Sequence, residues 1–554
     1  HRTMTQLATS SAVVGDFDDV ELSWLAPPRN PGGERQLERY RLSESDGEYW
    51  VTALHPISGL PGRAARIVMT TGSHHHQILW IQNGDQGELV NLPFTYLIDQ
   101  QRWVPRADSF LSPPDDPFGL VYWNEVCIEC HSTAGRPRLR SGQPSDTQVT
   151  ELGIACESCH GPAGPHIAAN QSPLRRRLQR EKADPTIVNP ARLSASRSAD
   201  VCGRCHSIIS YRGTDLWEGH WNDFTPGDKL ESHGRLVLRP ESPRRVQRRA
   251  IAEHLRAEGP RFLRDRFWAD GGVRVTGREL NDVVASPCFK GDKFSCLSCH
   301  SMHGYEDVSD QLASGMDGDA ACLQCHAQFE EEPAAHTRHA VDSEASRCMN
   351  CHMPYTTYGL LKAIRSHRVS SPSVRAERRT GRPNACNACH LDQSLAWTQT
   401  YLEKDFGVQP LRLNDNERQL AAGPRWIATG DAGVRALAGW YMGWAPARAA
   451  AGDAWMAPYL AELLADQYAA VRAVASESLR TLPGFSDLDY DFVAAKGTEG
   501  VKARIRVQAD WLSRSKGKAI SIPGPLALGD PEIDRRAWQE LMKERNMLPI
   551  ALTE

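Results

Sequence analysis

Apolar positions change their period along the chain, and those changes divide it. Between residues 66 and 98 the runs "RIVMTTG" and "HQILWIQNGDQGELVNLPFTYLI" mix β-branched and aromatic residues around "NGDQ". That pattern predicts a small β meander within residues 1–120, with a loop at "FLSPPDDPFG" leading out of it. Beyond about residue 395 the period becomes helical. "DAGVRALAGWYMGW" (431–444), "DQYAAVRAVASESLRTL" (466–482) and "EGVKARIRVQADWL" (499–512) share a Val-Arg/Lys-Ala core with apolar residues at helical spacing. Such a recurrence suits helix-pair repeats of HEAT type over residues 396–515. In "DPEIDRRAWQELMKER" (530–545) Asp530 is placed to cap a last helix and Pro531 to open it, within a tail of residues 516–554.

Residues 121–395 follow neither period and are organised by cysteine instead. A Cys-x-x-Cys-His unit recurs seven times and uses 14 of the 15 cysteines. The copies are Cys127-Cys130-His131, Cys156-Cys159-His160, Cys202-Cys205-His206, Cys296-Cys299-His300, Cys322-Cys325-His326, Cys348-Cys351-His352 and Cys386-Cys389-His390. They form two clusters around an insert of 207–285, in which one helix is expected near 245–266. Structural zinc joins two cysteine pairs tetrahedrally and gives no reason for histidine to follow every second cysteine. Disulfides at this density suit a short secreted scaffold, and a redox dithiol occurs once or twice in a chain. The unit is the attachment site of haem c: two thiols add to the porphyrin vinyl groups and the histidine reaches the iron. Its spacing suits one helical turn, with the imidazole on the side of both sulfurs.

This chemistry changes how the composition reads. Aromatic residues make up only 7% of the 554 and mean hydropathy is -0.48, meagre for an ordinary core. Seven porphyrins supply apolar bodies to bury in place of side chains. The expected fold class is therefore mainly α with much irregular loop: a haem-packed domain at 121–395, the small meander before it and the helical repeats after it. The formal charge of -4 offers no footprint for nucleic acid. The basic runs "PLRRRLQREK" and "PRRVQRRAIAEHLRAEGPRFLRDRFW" are expected to be exposed helices, and many arginines to be haem propionate partners. No apolar window is long enough to span a membrane. Haem is attached outside the cytoplasm, so a periplasmic or extracellular location is expected, with an export signal ahead of His1.

Several stretches carry a resemblance: "HRTMTQ", "TGSHHHQ", "LPFTYLIDQQRWVPR", "GIACESCHGPAGPH", "SPCFK…CLSCHSMH", "CMNCHMPYTTYGLLKAIRSH" and "GRPNACNACHLD". The chain resembles multihaem c-type cytochromes of the group that includes hydroxylamine oxidoreductase and the octahaem nitrite reductases. It is more closely similar to bacterial cytochromes whose haem part is joined to helical repeats. The resemblance implies a further attachment unit just before "HRTM", hence an eighth haem beyond the seven here. It also implies second axial ligands at His1, His75, His166, His303, His339 and His367, with His336 next. Within "SHHH", His74 and His76 stand as alternatives to His75. His303 follows His300 by three residues and so points toward a neighbouring haem. Cys288, the one cysteine outside the units, is expected to be a small packed hydrophobe; the alternative is a thiolate activated by Lys290.

Two functions follow from how the sixth iron position is filled. A second histidine at every iron leaves electron transfer along closely packed haems, with other redox proteins, cytochromes or further copies of the chain in an oligomer or filament as partners. One open position permits catalysis, and the alternative is a reductase of a small nitrogen or sulfur oxyanion. Every unit ends in histidine, and histidines outside the units are numerous enough to close every site. Electron transfer is ranked first.

Overall fold

The computed structural model describes the chain apart from residues 27–32, 84–86, 116–120, 140–144, 180–181, 212–222, 240–244, 519, 521–526, 529–531 and 554. It forms two compact units. One comprises His1–Ser109, Asp116–Val237 and Cys288–Leu312; the other comprises Phe110–Asp115, Leu238–Pro287 and Ala313–Glu554.

The first unit is built on an antiparallel sheet of eight strands: β1 Thr5–Leu7, β2 Val20–Ala26, β3 Gln36–Ser45, β4 Glu48–Leu54, β5 Pro61–Thr71, β6 His76–Gln82, β7 Leu89–Leu97 and β8 Arg102–Pro105. Strands β2 to β8 pair in sequence order, and β1 pairs with β5. One face closes over Phe17, Leu42, Tyr49, Val51, Ile67, Leu79, Leu92 and Phe94. A register shift between Ile67 and Met69 breaks the alternation, so Met69 joins Trp80, Trp123 and Ile128 in a separate cluster. Ile128 lies between the two cysteines of the first attachment unit and is fully buried. The sheet thereby anchors that unit.

The sheet corrects the expected fold class: the molecule is mixed, about 40% helix and 17% strand, where a mainly α chain with a small meander was anticipated. The reason lies in β2–β4. Their solvent faces carry Glu21, Arg39, Arg41 and Glu48, with Arg39 and Arg41 both paired to Glu21 at 2.7 and 2.8 Å. Frequent charge in these strands masks the period-2 signal.

In the second unit the helical pattern holds closely. Helices run over Ala422–Thr429, Ala432–Gly443, Ala457–Leu463, Ala469–Arg480 and Thr498–Ser515. Ala432–Gly443 packs on both Ala422–Thr429 and Ala469–Arg480, and Ala457–Leu463 packs on Thr498–Ser515. The arginine of the Val-Arg-Ala core is buried in the first two copies. Arg435 grips Asp466 at 2.7 and 3.0 Å and donates to the Gly430 carbonyl at 2.9 Å. Arg472 donates to the Phe492 and Asp466 carbonyls at 2.7 Å. Lys502 departs from this and pairs with Glu499 on the surface. The expected helix near 245–266 is two helices, Arg245–Glu258 and Phe262–Arg266, broken where Gly259 takes a positive φ before Pro260. The last helix is shorter than expected. Asp530 and Pro531 lie outside the described residues, Glu532–Ile533 is extended, and Asp534 caps Arg535–Met542 by accepting from the amides of Arg536 and Ala537.

Candidate haem sites

Each attachment unit winds into one tight turn. In four of them the histidine amide donates to the carbonyl of the first cysteine: His206 to Cys202 and His300 to Cys296 at 2.9 Å, His326 to Cys322 and His390 to Cys386 at 3.0 Å. Cys156–His160 and Cys348–His352 are short helices. The spacing alone dictates this, because an i to i+4 hydrogen bond brings both sulfurs and the imidazole to one side. Polar side chains then fix individual units. Thr133 accepts from the Ala155 amide at 2.8 Å and meets Ser158 at 3.0 Å, joining the first unit to the second. Asn384 caps the helix of the last unit, and Asn387 donates to the His390 carbonyl at 3.2 Å.

Units also touch one another. The thiols of Cys202 and Cys296 are in hydrogen-bond contact, as are those of Cys322 and Cys348. Burial pushes the Cys127 and Cys159 thiols up to about 11 and those of Cys386 and Cys389 up to about 12. An apolar setting of this kind suits a neutral thioether.

Histidines from elsewhere in the chain come close to four of the unit histidines. Ring centroids lie 6.0 Å apart for His1 and His206, 6.1 Å for His160 and His303, 6.0 Å for His336 and His352, and 6.2 Å for His339 and His390. Interplanar angles are 68°, 21°, 8° and 24°. An imidazole nitrogen sits about 2.0 Å from a first-row metal and roughly 1.15 Å from its own ring centre for ring bonds of about 1.35 Å, so two ligands on one iron put their centroids about 6.3 Å apart. The four pairs match that separation within a few tenths of an ångström. His1 reaches its place because Gly153, at φ +69°, leaves room for the Arg2 carbonyl, which a Cβ there would meet at 2.2 Å.

Hydrogen bonds set the tautomers to match. Nδ1 of His160 donates to the Val188 carbonyl at 2.7 Å, His300 to Asp310 at 3.0 Å, His339 to Thr337 at 2.7 Å and His352 to Ser370 at 3.1 Å. Each leaves Nε2 with its lone pair for a metal. Burial holds His352 and His390 below the ordinary imidazole value, which favours the neutral form that ligates.

Two further observations fit a porphyrin. Between Pro287 and Ala345 the only buried residue is Ser295, so this stretch, which carries two units, has no side-chain core of its own. Arg204, set between the cysteines of the third unit and in the field of Cys159, keeps its Nε buried without an acceptor. A propionate carboxylate is the group a guanidinium takes there.

The remaining expected ligands lie in other settings. His75 stands 3.7 Å from the Asp99 carboxylate. His166 contacts Asp184 at 3.1 Å, and hydrogen bonds from Thr186 and Asn170 hold that carboxyl far below its usual range. The His367 carbonyl accepts from Ser286. Cys288 is half-buried in the turn Pro287–Gly291 rather than packed away. Of the histidines outside the expected ligand set, His254 stacks on Phe262 and bonds Glu258 at 2.7 Å, and His220 lies outside the described residues. His336, the next candidate after those six, lies 6.0 Å from His352, as His339 lies 6.2 Å from His390.

The family model "Doubled CXXCH motif" matches residues 287–331, covering the fourth and fifth units. That match supports a multihaem c-type cytochrome. The doubled motif supports haem c as the cofactor. No curated protein matches this chain. Among solved structures it is similar to one described as the outer cell wall cytochrome OcwA, at 17% identity over 80% of this chain and 88% of that one, with a TM-score of 0.37.

Proposed function

We propose that the cytochrome carries electrons along seven haems, most of them closed on both faces by histidine. The four imidazole pairs at 6.0–6.2 Å carry this reading. His206 and His1, His160 and His303, His352 and His336, and His390 and His339 would each hold one iron between them. His75, His166 and His367 are the candidates left for the other irons. When bound, haem supplies one-electron iron chemistry and a conjugated edge for transfer. The chain's own residues fix where that happens. Cysteine contacts between units, 202 to 296 and 322 to 348, bring attachment edges together and shorten the hops between them. The carbonyls on Nδ1 make the ligands better donors and stop their rings from turning.

The helices from Ala422 to Ser515 are read as HEAT-like repeats that dock a redox partner or a second copy. Their support is the equivalent burial of Arg435 and Arg472. A periplasmic or extracellular setting accords with the attachment chemistry, and no described helix is long and apolar enough to cross a membrane. The test is intact mass together with ferric paramagnetic resonance on the purified protein. Seven haem increments and a dominant low-spin signal are expected; a polypeptide mass without haem, or mainly high-spin iron, overturns the reading.

A further inference from the structure

We propose that aromatic side chains fix the ring planes of His390 and His336, Trp397 for the first and Phe329 with Phe406 for the second, and so keep the ligand planes of two irons near parallel. The inference rests on the histidine pairs proposed above and adds the residues that set their orientation. An axial imidazole turns about its bond to iron unless a neighbour stops it. In each of these two pairs a hydrogen bond stops one ring: Nδ1 of His339 donates to the Thr337 carbonyl at 2.7 Å, and Nδ1 of His352 to that of Ser370 at 3.1 Å. Their partners His390 and His336 make no ring hydrogen bond among the described residues. Both meet aromatic rings instead.

Trp397 lies against His390 with centroids 4.7 Å apart and planes tilted by 48°, and Tyr401, one helical turn further on, backs it at 4.7 Å. The helix Leu395–Phe406 that carries both is tied to the last attachment unit. Asn387 of that unit donates to the His390 carbonyl at 3.2 Å and accepts from the Thr398 hydroxyl at 2.7 Å. Ser394 caps the helix by accepting from the Trp397 amide at 3.2 Å, and Leu395 and Leu402 are buried with Val374 and Leu413. Trp397 is thus positioned by the unit whose histidine it packs on. At the end of the same helix Phe406 stands edge-on to His336 at 6.1 Å, and Phe329 meets that imidazole at 4.6 Å with a tilt of 36°.

The resulting pairs are tilted by 24° for His339 with His390 and 8° for His336 with His352, against 68° for His1 with His206. Near-parallel imidazoles overlap the same iron d orbital and split it from its neighbour, whereas crossed planes leave the two nearly equal in energy. The plane angle therefore enters both the ferric resonance and the potential of each haem.

The experiment is low-temperature ferric paramagnetic resonance on the full-length holo-protein, with the haem mass of each variant matched to that of the parent. Trp397→Leu is expected to move one low-spin signal from the rhombic type to the crossed-plane type with a larger top g value, leaving the low-spin total unchanged. Trp397→Phe should keep the parent spectrum. The double variant Phe329→Leu, Phe406→Leu should move a second signal. Those side chains are 36% and 47% exposed, so this variant decides the matter if Trp397→Leu fails to load haem. Fully loaded variants with the parent spectrum overturn the proposal. His339→Ala separates the two levels: a new high-spin haem there beside an unmoved Trp397→Leu spectrum overturns the role of Trp397 alone, whereas no high-spin iron in His339→Ala removes the histidine pairing and the proposal with it.

Discussion

At a single imidazole, the hydrogen bond on Nδ1 decides which nitrogen is left for a metal, and packing decides where that nitrogen points. The His303 ring lies 6.1 Å from that of His160, whose own Nδ1 is tied to Val188. His303→Ala is expected to convert one haem from low-spin to high-spin, read as a new ferric resonance near one spin per chain. His254→Ala should leave the spectrum unchanged, since that ring is engaged by Glu258 and Phe262. Identical spectra for His303→Ala and the parent would remove His303 from the ligand set.

At the level of elements, buried ion pairs tie helices to each other. Burial alone would push the Asp466 carboxyl up, and the Arg435 guanidinium overrides it and holds it below the usual range. Arg435→Gln leaves that carboxylate buried and uncompensated, a loss of about 3–5 kcal/mol. The check is a lowered denaturation midpoint followed by far-ultraviolet circular dichroism; a shift of under a tenth of that size would show the pair to be dispensable. Asp282 behaves in the opposite sense. It is 1% exposed and accepts from the Val273 amide at 2.8 Å and the Ser366 hydroxyl at 3.1 Å. Burial pushes its carboxyl up to about 6 from an ordinary 3.8. Between those values the folded state keeps a proton that the unfolded chain has lost, so stability falls as pH rises through the window, by on the order of 3 kcal/mol. Asp282→Asn should flatten the difference between denaturation midpoints at pH 4.5 and pH 8; an unchanged difference would assign that slope to other groups.

Across the whole molecule, folding and cofactor attachment are coupled unevenly. The helices from Ala422 to Ser515 bury Leu437, Tyr441, Leu460 and Val474, whereas Pro287–Ala345 has almost nothing to bury without porphyrin. Produced in cells that cannot attach haem c, the chain should be cut rapidly within Pro287–Ala345 and slowly within Ala422–Ser515, as limited proteolysis with mass mapping would show. Equal protection of both stretches would mean that the first has a core of its own.

The seven units, the turn each one makes and the helical end of the chain were legible from sequence, because spacing and period are local properties that a few residues enforce. The charged strands β2–β4 were not, since their pairing across Glu21, Arg39 and Arg41 depends on neighbours distant in the chain. The choice among histidines was legible only in part. His1, His303 and His339 carry a family resemblance, but nothing local brings His336 to within 6.0 Å of His352. Whether an imidazole binds depends on a second ring arriving within about 6 Å on the far side of the same iron, and only the tertiary fold brings distant rings to that separation.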